Sequence, residues 1–90
     1  MISREILTLL GKKYSFEILS ELADYTDSRF KDLKEACPIE KMRTQRLKEL
    51  ERNGLIKHSI HMVGRRPILI YNISESGNDI VRGLMRINVQ

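Results

Sequence analysis

The chain has 90 residues, of which 16 are Lys or Arg and 12 Asp or Glu, giving a formal net charge of +4 with 41% apolar and 31% charged residues. That length suits one domain, residues 1–90, with little room for a deep catalytic pocket, and the apolar fraction is too high for a disordered chain. The longest aliphatic or aromatic run, Ile68-Leu69-Ile70-Tyr71, is far short of a bilayer span of roughly 20 residues. The start, Met1-Ile2-Ser3-Arg4-Glu5, lacks a secretory pattern, and the lone cysteine, Cys37, excludes an internal disulfide and a Cys-cluster zinc site, so a cytoplasmic protein without metal or cofactor is expected.

The first apolar set, Ile2, Ile6, Leu7, Leu9 and Leu10, has helical spacing and covers much of the circumference of a helix over 2–10. Gly11 ends it. Tyr14, Ile18, Leu19, Leu22 and Tyr25 recur by threes and fours, which predicts a second amphipathic helix over 12–25. After the polar stretch Asp24 to Ser28, Ser28 can N-cap a short helix over 29–36 with Phe30, Leu33 and Ala36 inward. Cys37-Pro38 breaks it, because proline disfavours helix at the residue before it. A fourth helix is predicted over 39–53, with Ile39, Met42, Leu47 and Leu50 as its apolar stripe and Asn53-Gly54 as a left-handed stop. The period then changes. Residues 57–63 and 68–73 read as β-strands joined by Gly64-Arg65-Arg66-Pro67, a hairpin. Ser74 or Ser76 caps a last helix over 75–88, with Ser76 and Asp79 spaced as a capping box. Its apolar positions are Ile80, Val81, Leu84, Met85 and Ile87. The fold class is therefore mainly α with a small β-hairpin, in the order α-α-α-α-β-β-α.

The charge is segregated. Between Arg29 and Arg66 there are 11 basic and 5 acidic residues, an excess of +6, while the rest of the chain carries −2. Such a stretch suits a polyanion; the plainer alternative is a solvated surface of mixed charge. Catalysis has little to stand on. His58 and His61 fall at odd spacing on one predicted strand and face opposite sides. No His-Glu-x-x-His, Gly-rich phosphate loop or nucleophile elbow is present. Few aromatics and no cluster of buried polar groups mark an effector pocket, so a small-molecule effector stays open.

Duplex DNA fits the remaining features. Helices 29–36 and 39–53 have the dimensions of a helix-turn-helix, whose second helix enters the major groove. With Leu47 and Leu50 inward, Lys41, Thr44, Gln45 and Lys48 lie outward. Gln can pair with adenine, Thr can touch a thymine methyl, and Lys can bind guanine or phosphate. Arg43 and Arg46 sit at the edge of the stripe, where each could reach DNA or lie along the core. Lys31 and Lys34 on the preceding helix are placed to hold phosphates. Arg65 and Arg66 at the hairpin turn can enter a minor groove or grip phosphates; otherwise they solubilise a turn and blunt a strand edge. A winged helix can also serve as a protein–protein module of a transcription or replication assembly, and that alternative predicts a monomer.

The sequence resembles the HxlR-type winged-helix transcriptional regulators, and more loosely the MarR and ArsR types, over about Leu10 to Val81. Leu10-Gly11-Lys12-Lys13-Tyr14 followed by Ile18-Leu19-Ser20-Glu21-Leu22 is similar to the family's Gly-Lys-Trp…Ile-Leu-x-x-Leu helix, with Tyr14 for Trp. Arg29-Phe30-Lys31-Asp32-Leu33 resembles its Arg-Phe-x-x-Leu. Thr44 to Ile56 resembles the recognition helix and its exit, and Tyr71-Asn72-Ile73-Ser74-Glu75-Ser76-Gly77 the segment that leaves the wing. The resemblance implies DNA contacts from Thr44, Gln45, Arg46, Arg65 and Arg66, and a homodimer built by the terminal helices, here through Ile2, Ile6, Leu9, Ile80, Leu84 and Ile87. Alternatively these helices only cover one copy's core. Arg43 stands where the family has an apolar residue, which calls for a rolled helix or for Met42 in the core. The family's N-terminal Cys-Pro start is absent. Cys37 is left as either an oxidation-sensitive group or a small core residue.

Overall fold

A computed structural model describes residues 2–88; Met1, Val89 and Gln90, the ends of the expected 1–90 unit, lie outside the described residues. Helix α1 spans Arg4–Leu10, α2 Ser15–Asp24, α3 Glu40–Arg52 and α4 Glu75–Asn88, with strands β1 Ile56–Val63 and β2 Arg66–Ile73 between α3 and α4. The expected order of elements is present, with one change. The segment expected as a helix over 29–36 contains a single 3-10 turn, Phe30–Leu33.

The reason lies in the backbone of Ser28. Rather than capping a helix, Ser28 forms a bridge to β2: its N–H donates to Tyr71 O at 3.0 Å, and its carbonyl oxygen accepts in return from Tyr71 N at 2.7 Å. This ties the chain into the sheet immediately before the turn. The cap falls to Asp32, whose carboxylate accepts from Arg29 N at 2.9 Å. Beyond the 3-10 turn the chain continues in turns, with Cys37 N donating to Leu33 O at 2.9 Å, before Pro38.

The other boundaries have local causes. Ser3 accepts from Ile6 N at 3.1 Å and caps α1. At the end of α3, Gly54 N donates to Glu51 O at 2.9 Å and Leu55 N to Leu50 O at 3.0 Å, with Gly54 at φ 74. This is a Schellman ending, and its left-handed residue costs glycine nothing. The cap of α4 is Ser74, whose hydroxyl accepts from Gly77 N at 3.0 Å and donates to Gly54 O at 2.6 Å. The expected Ser76–Asp79 box gives way to it because Ser74 also binds the backbone that leaves α3. Gly77 is required here: a Cβ would collide with the Leu55 carbonyl oxygen and the Ile73 side chain.

The core lies where α1, α2, α3, α4, the 3-10 turn and the base of the hairpin meet. Leu9, Ile18, Leu19, Leu22, Leu33, Cys37, Leu47, Leu50, Leu55, Ile56 and Val81 are all buried. A fully buried Leu or Ile contributes roughly 1.5–3 kcal/mol, so this cluster dominates the fold. Cys37 takes the core position of its two alternatives, its thiol turned toward Ile39 O at 3.7 Å.

Candidate nucleic-acid interface

Helix α3 has two chemically distinct faces. Leu47 and Leu50 are buried as expected, and Arg43 and Arg46 are buried with them at 5% and 9% exposure. Positions 43, 46, 47 and 50 follow the spacing of an inward stripe. The helix therefore keeps its frame and carries two arginines inside, with Met42 half-buried and Ile39 exposed. On the outward face Lys41, Thr44, Gln45 and Lys48 are all exposed.

The expectation that Arg43 and Arg46 contact DNA is corrected by this burial. Arg43 Nε donates to Cys37 O at 2.8 Å, with longer contacts of 3.5 Å from its other nitrogens to Phe30 O and Pro38 O. Its guanidinium carbon lies 4.6 Å from the centre of the Phe30 ring. The turn of the helix-turn-helix leaves carbonyls without helical partners, and a planar group with five N–H donors can satisfy several at once. An apolar residue at position 43 could fill the space but not bind these oxygens. Arg46 Nε donates to Lys13 O at 3.0 Å, and its Nη1 pairs with Glu49 at 2.8 Å. Glu49 in turn holds Lys12 at 2.7 Å. The Lys12 hydrogen bond, joined by that of Arg46, outweighs burial and holds the Glu49 carboxyl below its ordinary range. These contacts clamp α3 to the turn between α1 and α2, where Tyr14 adopts a left-handed φ of 76. Sequence reasoning missed Glu49 and Lys12, which lie far apart in the chain and signal nothing by spacing.

The hairpin stands beside α3. Its register runs from Ile56 opposite Ile73 to Val63 opposite Arg66, so the turn is the two residues Gly64-Arg65. Gly64 has φ 65, and glycine at the first turn position suits a two-residue hairpin loop. Arg65 is at the tip and Arg66 opens β2; both are exposed. Pairing places His58 with Tyr71, Ile60 with Leu69 and Met62 with Pro67 on one face. The inner part of that face meets α3. His58 Nδ1 lies 2.6 Å from Glu51 Oε1. Burial, assisted by the Glu51 charge, raises the Tyr71 hydroxyl above its ordinary range and keeps it neutral. Helix and hairpin enclose a cleft of about 180 Å³ lined by Thr44, Leu47, Lys48 and Glu51 on one side and His58, Leu69 and Tyr71 on the other, with Phe30 beneath. It is smaller than the usual small-molecule pocket of roughly 300–1,000 Å³. His58, Glu51 and Tyr71 were not singled out from sequence as parts of one site; only the strand register brings them to the helix.

A 3-10 turn, a helix with a polar outer face, and a hairpin with a basic tip make a winged helix-turn-helix. The model of the HxlR-like helix-turn-helix family matches residues 9–88. The chain belongs to that family. It is 36% identical over 77 residues to the HTH-type transcriptional regulator YdzF of Bacillus subtilis, covering 82% of this chain and 69% of that one. Against the HTH-type transcriptional regulator YodB of the same organism it is 36% identical over 73 residues, covering 78% of this chain and 62% of YodB. The structure of reduced YodB superimposes with a TM-score of 0.81 at 28% identity, covering 98% of this chain and 89% of that one.

As a member of the HxlR-like family, the chain carries the remaining basic candidates openly. Lys31, within the 3-10 turn, and Lys34, directly after it, are exposed. Among the described residues neither they nor Lys41, Lys48, Arg65 or Arg66 form an ion pair. Among the described residues no helix is long and apolar enough to cross a membrane. The terminal helices divide. Leu9, expected at a dimer interface, is only 3% exposed within a single copy and is a core residue, because α1 turns it against α2. Ile6 and Ile80 are half-buried against the core, Leu84 is half-buried, and Ile2 and Ile87 are exposed. Ile2, Ile6 and Ile80 border one surface hollow between α1 and α4.

Proposed function

We propose that this HxlR-like regulator binds duplex DNA sequence-specifically as a homodimer in the cytoplasm, with the 1–90 unit acting as one DNA-binding domain. Helix α3 lies in the major groove, where Lys41, Thr44 and Gln45 meet base edges. Lys31, Lys34 and Lys48 hold phosphates, and Arg65 and Arg66 engage the flanking minor groove or its backbone. One observation carries this reading. The exposed cations of the 3-10 turn, α3 and the hairpin have no partners among the described residues, whereas the arginines that do have partners are buried beneath them. Cations left unpaired on a helix-turn-helix suit a polyanion.

The homodimer is built by the apolar residues that one copy leaves uncovered on its terminal helices: Ile2, Ile6, Ile80, Leu84 and Ile87. Two copies then present two recognition helices to half-sites about one helical turn apart. Neutralising about 6 phosphates per dimer gives a slope near −5 when the logarithm of affinity is plotted against the logarithm of salt. Titration of a labelled duplex across salt concentrations, with sedimentation of the free protein, tests both parts. A flat salt dependence, or a monomer that binds no duplex at low salt, would return the chain to the protein-binding alternative.

A further inference from the structure

Thr44 differs from its neighbours on the outward face of α3. Lys41, Gln45 and Lys48 carry long side chains with polar heads, and among the described residues no hydrogen bond holds the Gln45 amide within the chain. Thr44 is short, and its hydroxyl is already engaged. Its Oγ1 donates to Glu40 O at 3.1 Å, one turn back along the helix. Threonine often binds its own helix in this way, and here the bond decides what the side chain has left for a partner.

A hydroxyl has one hydrogen to give. Given to Glu40, it is withdrawn from the acceptor atoms of guanine, adenine and thymine. The other end of the side chain is the methyl Cγ2, on a residue that is exposed. Every base pair shows acceptors in the major groove, but only thymine shows an apolar group there, its C5-methyl. We infer that Thr44 sets specificity through Cγ2, which packs against the C5-methyl of one thymine in each half-site, while its hydroxyl stays on the helix backbone. This rests on the proposed DNA-binding reading and deepens it.

The surroundings agree. Thr44 lies in the second turn of α3, within the N-terminal half that reaches base edges in a helix-turn-helix. Lys41 stands three residues before it and Lys48 four after it, so a cation flanks it one turn away on each side. Gln45, next in the chain, has the free amide that suits adenine. A methyl reader beside an amide reader fits neighbouring A·T pairs. Threonine is also a weak helix former at an exposed position, and the core does not call for it there.

The test uses the full chain and the duplex it enriches from a randomised pool. Each thymine of one half-site is replaced in turn by deoxyuridine, which removes the C5-methyl and leaves every hydrogen-bonding group in place. At one position the unmodified chain loses about fourfold in affinity, the factor for one buried methyl. Thr44→Ser keeps the hydroxyl and loses Cγ2. It binds more weakly by about that factor per copy and no longer distinguishes thymine from deoxyuridine at that position. Thr44→Val keeps a methyl and discards the hydroxyl, and it retains both affinity and the distinction. Should the serine variant fold poorly, Thr44→Ala, a better helix former, loses the distinction in the same way. A duplex with no deoxyuridine-sensitive position overturns the inference, as does a distinction that survives Thr44→Ser and Thr44→Ala. A loss of affinity in folded Thr44→Val also overturns it, because the hydroxyl would then be on the DNA. If no duplex is enriched and none is bound at low salt, the DNA-binding reading fails together with it; if duplex binds and the methyl has no effect, only the thymine contact fails.

Discussion

Two pairs of arginines on this chain have opposite fates. Arg43 and Arg46 belong to α3 and lie buried, bound to the carbonyls of Cys37 and Lys13. Arg65 and Arg66 stand exposed at the hairpin turn, with no ion-pair partner among the described residues. The same guanidinium fastens the backbone in one place and is free for an external anion in the other. What separates them is whether unsatisfied carbonyls lie within reach. The turns before α3 and before α2 offer them; a two-residue hairpin loop, whose strands already satisfy each other, does not. Tight placement of α3 suits the reading of base edges, and a free tip suits phosphates.

The largest effect should come from Arg43→Ala, which leaves the Cys37 carbonyl buried and unpartnered and opens a cavity beside Phe30. A loss of about 3 kcal/mol in chemical unfolding is expected. Arg43→Met, which restores volume but not donors, should recover part of that loss. Full recovery would mean that the guanidinium only fills space.

A loss of about 2 kcal/mol is expected for Arg46→Ala, which frees the Lys13 carbonyl and one side of Glu49. The same clamp gives a pH signature. Because the folded state holds the Glu49 carboxyl low, its contribution is fully present above the ordinary glutamate value of about 4.3 and is lost as pH falls through the lowered value. Melting temperatures followed from pH 6 downward should drop less steeply in Glu49→Gln, which starts lower at neutral pH.

Smaller effects are expected on the outer face. Gln45→Ala should leave stability unaltered and reduce discrimination between operator and single-base variants by about 1 kcal/mol, measured by competition binding. The smallest change in stability, within about 0.5 kcal/mol, is expected for Arg65→Ala and Arg66→Ala. Their effect belongs in the salt slope of DNA binding. A loss of stability comparable to that of Arg43→Ala would erase the contrast between the two pairs.

Much of the fold follows from the order of residue types alone. The periodicity of Ile18, Leu19 and Leu22, the Asn53-Gly54 stop, and the β-branched residues around Gly64 each act within a few positions, so helix, ending and hairpin are local consequences of sequence. Exposed candidates such as Lys41, Thr44 and Gln45 are legible for the same reason: Leu47 and Leu50 set the helix face, and the opposite face follows. The motif segments around Arg29 and Tyr71 also point to the family.

What lies across the chain was decided by tertiary contact. Ser28 became a sheet residue because Tyr71 offered it two hydrogen bonds, and the expected helix after it shrank to a 3-10 turn. Leu9 moved from a supposed interface to the core because α2 covered it. Arg43 and Arg46 were ambiguous by periodicity, since the stem of arginine is apolar and its head charged. Burying a charge is costly unless it is well hydrogen-bonded, and the oxygens that make it acceptable come from residues 13 and 37, fixed only when separate segments pack. Residue order therefore determined which face of α3 is polar and where the hairpin turns. Packing alone decided which of the basic residues remain free to meet a partner.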